Sequence, residues 1–360
     1  MAYTTINKST DYFNTKLYTG NGGNQTITGV GFQPDWVWFK SRDAGNSHAL
    51  VDSVRGTTKV SYSDTTAAEQ TISAQTFNAD GFALVQDGGA NSINSNGSTK
   101  VAWSWKAGTT SSISGGTITP SGVSISAASG FGIYKYTGTG SNGTIAHGLG
   151  TAPSLVIVKK IVGGTDNWTI YYNPQGGTSP QTQLNGQENR AMFFNTNGFS
   201  TSATYWNGGS GAATSTVFNL GTTGVVNESG HQYIAYAFAD VIGYQRFCGW
   251  YANADSNGPF LYTGFKPAYF LMFNINNSGR WMIADSTRNT FNVIDKKLSP
   301  HNANAESTTG DIACDFLSNG IKIRGGSTSD INYANGNMMY GLAIAEAPLV
   351  GSNNVPSNAR

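Results

Sequence analysis

The chain has 360 residues, with 21 basic and 20 acidic side chains and a net charge of +1. Only 11% of it is charged, yet it carries 18 Phe, 17 Tyr and 8 Trp. That excludes a disordered chain, which lacks aromatics, and leaves no Lys/Arg footprint for nucleic acid. The polarity comes from 46 Gly and from Ser, Thr and Asn, residues of tight turns and solvated strand faces, so many short strands are expected.

In chain order, Met1-Ala2-Tyr3-Thr4-Thr5 has neither a basic region nor an apolar run, so no secretory signal is expected. No stretch of the chain approaches 18 apolar residues, so no membrane insertion is expected either. Residues 1–11 read as an N-terminal segment and 12–107 as a first β module. It opens with a hairpin signal, Tyr18-Thr19-Gly20-Asn21-Gly22-Gly23, whose glycines allow positive φ. Gly31-Phe32-Gln33-Pro34-Asp35-Trp36-Val37-Trp38-Phe39-Lys40 follows. Pro34 lacks a donor and suits a strand entry, and the apolar run after it suits a strand buried on both faces. The next strand, from His48, ends in Asp52-Ser53-Val54-Arg55, where Asp52 and Arg55 are expected to pair and pin a loop. Thr65 to Gln70 reads as one helical turn. Asn78-Ala79-Asp80-Gly81-Phe82 is a turn, and Val101-Ala102-Trp103-Ser104-Trp105 a closing strand. Trp36 with Trp38, and Trp103 with Trp105, lie two apart on strands and are read as core.

Residues 108–129 form a Ser/Gly/Thr linker in which the alternation Gly122-Val123-Ser124-Ile125-Ser126 allows an edge strand. A second module, 130–240, repeats the signals: Tyr136 to Gly143, then Gly150 to Lys159 with Pro153, Trp168 to Tyr172, Asn195 to Phe199, and Tyr233 to Ala239. It has no Asp-Ser-x-Arg. Tyr205 and Trp206, beside Asn207-Gly208-Gly209, read as a loop and as candidate exposed contacts for a glycan. The junction Val241-Ile242-Gly243-Tyr244 is short and apolar, so the flanking modules should pack tightly. A third module, 245–347, runs through Tyr251 to Gly258, Gly264 to Phe273 with Pro267, and Trp281 to Arg288 with the Asp285/Arg288 pair. Leu317 to Ile321 and Met339 to Ala345 complete it, and 348–360 is a polar tail.

Ordered signals repeated three times predict an all-β fold of three tandem β-sandwich modules, jelly-roll or lectin-like, of about 100–115 residues each. A closed barrel per module is the alternative.

The chemistry-bearing residues are sparse. His48, His147, His231 and His301 form no metal pattern, and neither Cys248 nor Cys314 sits in a C-x-x-C. The cysteines read as free buried thiols or as one bridge. Asp285, Asp295, Asp311 and Asp315 are the densest acidic group. No spacing selects a carboxylate pair for glycan hydrolysis, and they read as turn residues on solvated loops. No catalytic residue, metal or cofactor is expected.

Ile6-Asn7-Lys8-Ser9-Thr10-Asp11-Tyr12-Phe13-Asn14-Thr15-Lys16-Leu17-Tyr18, the Pro34 and Asp52–Gly56 segments, Ala102-Trp103-Ser104-Trp105-Lys106-Ala107, Ala343 to Leu349 and Pro356-Ser357-Asn358-Ala359-Arg360 together resemble a family of tailed-bacteriophage virion proteins. These are common among phages of aquatic bacteria, cyanobacteria included, and are often labelled tail fibre or head decoration. The resemblance implies a non-enzymatic structural protein on the particle surface, assembled in the host cytoplasm. Other virion proteins, further copies of the chain and a host surface glycan are the expected partners. Without a heptad shaft or an anchor, a compact tail-associated or capsid-decorating component is expected. A carbohydrate-binding adhesin and a polysaccharide depolymerase are the alternatives.

Overall fold

The computed structural model describes residues 4–350 apart from 74, 86–92, 109, 174–189, 197, 208–212 and 276–279. The chain is all-β, with one four-residue α-helix, Gly224–Asn227, and two 3-10 turns, Ser9–Asp11 and Gly310–Ile312, among these residues. The first unit contains β1 (Phe13–Thr19), β2 (Gln25–Thr28), β3 (Trp36–Ser41), β4 (Ala49–Asp52), β5 (Lys59–Tyr62), β6 (Gln70–Thr71), β7 (Thr76–Asn78), β8 (Gly81–Leu84) and β9 (Thr99–Trp105). The second contains β10 (Gly122–Ser126), β11 (Phe131–Thr137), β12 (Gly143–Ala146), β13 (Pro153–Val162), β14 (Thr169–Tyr172), β15 (Ala191–Phe193), β16 (Phe199–Ser200), β17 (Val217–Leu220) and β18 (Gln232–Ala239). In the third are β19 (Gln245–Tyr251), β20 (Phe260–Tyr262), β21 (Phe265–Asn274), β22 (Trp281–Asp285), β23 (Lys296–Lys297), β24 (Ser307–Thr308), β25 (Cys314–Leu317), β26 (Gly320–Ile323) and β27 (Met338–Pro348).

Each unit builds one large antiparallel sheet. Their orders are β1-β9-β3-β4-β5-β6, β10-β11-β18-β13-β14-β15-β16 and β19-β27-β21-β22. In all three, the unit's last strand lies between an early strand (β1, β11 or β19) and the long apolar strand (β3, β13 or β21). A small sheet accompanies each: β2-β8-β7, β12-β17 and β20-β26-β25. Alternation assigns the faces, since successive side chains on a strand point opposite ways. In the first unit Trp36, Trp38, Trp103 and Trp105 enter a core shared by all three units, while Val37, Phe39, Val51 and Ala102 pack with Phe82 and Leu84 of the small sheet. In the second, Leu155, Ile157, Tyr236 and Phe238 face the shared core, and Val156, Val158, Ala235 and Ala237 pack with Phe218 and Leu220. The continuous apolar runs exist because both faces are covered. The third unit's outer layer, with Phe316, Ile321 and Ile323, merges with the shared core.

Several local expectations change. Pro153 begins β13, but Pro267 lies inside β21, where the register slips between Lys266 and Tyr269. A bulge leaves the missing N–H unneeded, so the proline is tolerated within the strand. Thr65 to Glu69 is irregular rather than helical and leads into β6. Asn195 and Gly198 lie between β15 and β16 of the large sheet, and the small-sheet partner of β12 is β17, far downstream. Gly122–Ser126 is the strand β10, so the 108–129 segment contributes an edge to the second large sheet.

Candidate functional site

The Asp-Ser-x-Arg loops are clamps. Asp52 accepts from the Arg55 backbone N–H at 2.8 Å and from its Nε at 2.5 Å, and Arg55 Nη2 reaches the Leu50 carbonyl at 2.9 Å. Asp285 repeats this with Arg288 at 2.8 and 2.5 Å, and Arg288 Nη2 reaches the Ile283 carbonyl at 2.9 Å. All four charged side chains are fully buried. Burial opposes the charge of Arg55, but Asp52, Tyr236 and Glu69 outweigh it and hold the guanidinium above its ordinary pKa.

Each carboxylate also takes a donor from a neighbouring unit. Tyr236 Oη of the second unit donates to Asp52 at 2.8 Å, and Trp103 Nε1 of the first donates to Asp285 at 3.0 Å. By register Trp103, Tyr236 and Leu342 are equivalent, as are Asp52, Tyr172 and Asp285. The third position therefore replaces the polar set with Tyr172 and Leu342. There Tyr172 packs on Phe273 and Tyr340 of the third unit, with centroids 5.4 and 5.0 Å away. Its hydroxyl is pushed up to about 12 by burial.

A second set of inter-unit bonds runs the same way. Trp168 Nε1 donates to the Tyr62 carbonyl, second unit to first, at 2.7 Å. Trp281 Nε1 donates to the Phe193 carbonyl, third to second, at 2.9 Å. The equivalent residue in the first unit is His48, which is buried beside Ser299 of the third. Burial drives its pKa well down, with the Ser299 backbone acting in the opposite direction. Trp38 Nε1 donates to His48 Nδ1 at 2.9 Å, so the imidazole is neutral there. Lys40 reaches the Ala303 carbonyl at 2.9 Å and Lys159 the Thr66 carbonyl at 2.7 Å, first to third and second to first. Burial lowers both lysines to about 8.

Three buried asparagines brace the hairpins. Asn94, Asn227 and Asn332 are each fully buried. Their Oδ1 atoms accept the backbone N–H of Asn21, Thr139 and Asn253 at 3.2, 2.8 and 2.8 Å. Their Nδ2 groups donate across the same hairpins to the carbonyls of Gly23, Ser141 and Asp255 at 2.5, 2.6 and 2.7 Å. The preceding carbonyls, of Ile93, Val226 and Ile331, are capped by Tyr18 Oη, Tyr136 Oη and Trp250 Nε1 at 2.7, 2.6 and 3.1 Å. The sequence signal is an apolar-Asn pair with Gly97, Gly230 or Gly336 shortly after it and the last strand beyond.

The aromatic pair expected to be exposed is not. Trp206 is 1% exposed, its Nε1 bonded to the Arg190 carbonyl at 3.0 Å and its ring against Tyr171. Tyr205 is half-buried against Phe193, and burial raises its hydroxyl pKa. Trp206 is a plug for the second unit's outer core, so it offers no glycan platform. The acidic group is scattered too. Asp285 and Asp315 are buried rather than on solvated loops, Asp311 pairs with Lys297 at 2.7 Å, and Asp315 with Arg324 at 2.6 Å. Cys248 and Cys314 are separate buried thiols, and burial pushes Cys248 up to about 12 and Cys314 higher. No group of three His, Cys, Asp or Glu among the described residues could hold a metal.

A polar cleft of about 360 Å³ opens in the third unit, lined by Arg280, Lys297, Ser299, His301, Asn302, Asn304, Ala305, Ser307 and Asp330. Its charges are paired internally: Arg280 with Asp330 at 2.6 Å, and Lys297 with Asp330 at 3.2 Å. His301 Nδ1 accepts the Trp281 N–H at 3.3 Å and burial lowers its pKa, so the imidazole is neutral near pH 7. The cleft thus offers amides, hydroxyls and compensated charges, a lining suited to a hydroxylated ligand.

A family model described as a domain of unknown function, DUF7483, matches residues 8–348. The chain belongs to the DUF7483 family. That one match runs through all three large sheets, so the family is defined over the whole interlocked assembly. No curated protein matches this DUF7483 chain. No helix among its described residues is long and apolar enough to cross a membrane.

Proposed function

We propose that this DUF7483 chain is a non-enzymatic structural component of a tailed-bacteriophage virion. It stands on the particle surface as a compact tail-associated or capsid-decorating part, and it contacts other virion proteins. The observation that carries this reading is how the buried charges are used. Asp52, Arg55, Asp285 and Arg288 all hold one unit against the next, which is the economy of a rigid building part. The likeness of the opening and closing segments to virion proteins supplies the setting. Mass spectrometry and antibody labelling of purified particles test it. The chain is expected in intact particles with a label on their exterior; its recovery only in particle-free lysate would overturn the reading.

A second reading, a carbohydrate-binding adhesin, is favoured by the polar cleft rather than by Trp206. Glycan binding abolished by Asn302→Ala and Arg280→Ala would support it, while binding that survives both would remove the cleft from it.

A further inference from the structure

We propose that the chain is a closed single-chain pseudo-trimer, and that its three braced hairpin tips dock it onto a protein assembly with threefold symmetry. This rests on the virion reading above and names the geometry of the partner.

Closure comes first. The first unit donates into the third through Lys40 and Trp103, the second into the first through Lys159, Trp168 and Tyr236, and the third into the second through Trp281. These are head-to-tail contacts using equivalent positions, and three of them return to the starting unit. A head-to-tail contact that closes after three steps is a threefold rotation with no translation along the axis. Equivalent points of the three units therefore lie at one height around that axis.

The hairpins after β1, β11 and β19 are such points. Gly22, Gly140 and Ala254 occupy the same turn position, all with positive φ (68, 73 and 58°). Two residues on, Asn24, Asn142 and Ser256 are exposed. Each tip is fixed from beneath by its own buried asparagine, so little ordering entropy is lost when it makes a contact. The tips project at the end of the sheets opposite the starts of β1, β11 and β19.

The tip chemistry selects the partner. Across residues 20–24, 138–142 and 252–256 there is one charged side chain, Asp255, and no Lys or Arg. Nothing there attracts phosphate, so nucleic acid and anionic lipid are poor fits. Small amides, hydroxyls and open backbone suit hydrogen bonding to a protein surface. One such tip binds weakly. Three bind well only where the partner repeats its contact at the same spacing, because the second and third contacts are then intramolecular.

The test uses particles from a phage lacking the gene, the purified full-length protein, and variants Asn24→Lys, Asn142→Lys and Ser256→Lys, singly and together. All should keep the wild-type circular dichroism and melting temperature, since all three side chains stand exposed at the tips. Each single variant is expected to weaken rebinding by about threefold to tenfold and the triple variant by about a hundredfold or more, as the contacts multiply. Asymmetric reconstruction of rebound particles should place one chain on each occupied threefold axis. Loss confined to one tip, a chain sitting off a threefold axis, or tips that bind a glycan array while particle binding is unchanged would each overturn the proposal and leave the virion reading standing. A chain absent from wild-type particles and unable to rebind would remove both.

Discussion

Asp52 serves three donors at once: the Arg55 side chain, the Arg55 backbone and Tyr236 of the next unit. Removing its charge strands a buried guanidinium, so Asp52→Asn is expected to cost about 3–5 kcal/mol in urea unfolding, as breaking a buried ion pair does. The third interface shows the apolar solution in Tyr172 and Leu342. Asp52→Leu with Arg55→Met and Tyr236→Phe should accordingly recover more than half of that loss. Asp240 makes a different prediction. Burial raises its carboxyl to about 6, against hydrogen bonds from the Phe247 N–H and Ser154 Oγ that lower it. A carboxyl raised in the folded state contributes stability that is full below pH 3.8 and is lost as pH rises through 6. Asp240→Asn keeps an oxygen acceptor without the charge. After discounting for its partial exposure, it should add about 1–2 kcal/mol at pH 7 and flatten the stability profile between pH 4 and 6. The Asp52/Arg55 pair was legible because both partners lie three residues apart in one loop. The burial of Trp206 was not, because its bond to the Arg190 carbonyl and its contact with Tyr171 come from distant segments, while its own neighbours are turn-forming. Asn94, Asn227 and Asn332 were hidden for the same reason among many loop asparagines.

At the scale of the element, the hairpin after β19 carries a defect its two counterparts lack. Ala254 holds φ 58° where Gly22 and Gly140 stand. A Cβ in the left-handed region costs about 1–2 kcal/mol, partly offset by the greater chain entropy lost by glycine. Ala254→Gly should therefore raise stability by about 0.5–1 kcal/mol, read as a higher melting temperature. The turn entering β26 is constrained by space instead. A Cβ on Gly320 would sit 2.2 Å from the Leu261 carbonyl oxygen across the β20–β26 ladder. Gly320→Ala should loosen that pairing, seen as faster amide exchange at Ile321. The continuous runs of β3, β13 and β21 announced strands covered on both faces, and the structure has them so. Asn195 to Phe199 was legible as a turn, but Asn-Gly marks a hairpin without saying which sheet receives it. In the second unit the turn joins strands of the large sheet, and the small-sheet strand is Val217–Leu220.

On the scale of the whole molecule, one core receives aromatic side chains from all three units: Trp36 stacks on Tyr236 at 4.5 Å, Phe13 meets Tyr269 at 5.3 Å, and Phe194 meets Trp281 at 4.4 Å. No unit can leave without exposing its inner face. Calorimetry should show a single transition whose van't Hoff and calorimetric enthalpies agree, and three resolved transitions would contradict a shared core. The all-β class and the recurrence of its signals could be read from the residues alone. The cyclic order of contacts could not, because no periodicity within a strand reveals which neighbour its buried face meets. That cyclic order rests on a covalent fact, that residues 106–121 and the short stretch at Val241–Tyr244 join the units in one polypeptide. Three separate chains would come apart on dilution, with an assembled fraction governed by their concentration. Tethers of this length instead hold each unit's neighbours at an effective concentration on the order of millimolar or above. The assembly thus remains complete as a solitary molecule, however far it is diluted.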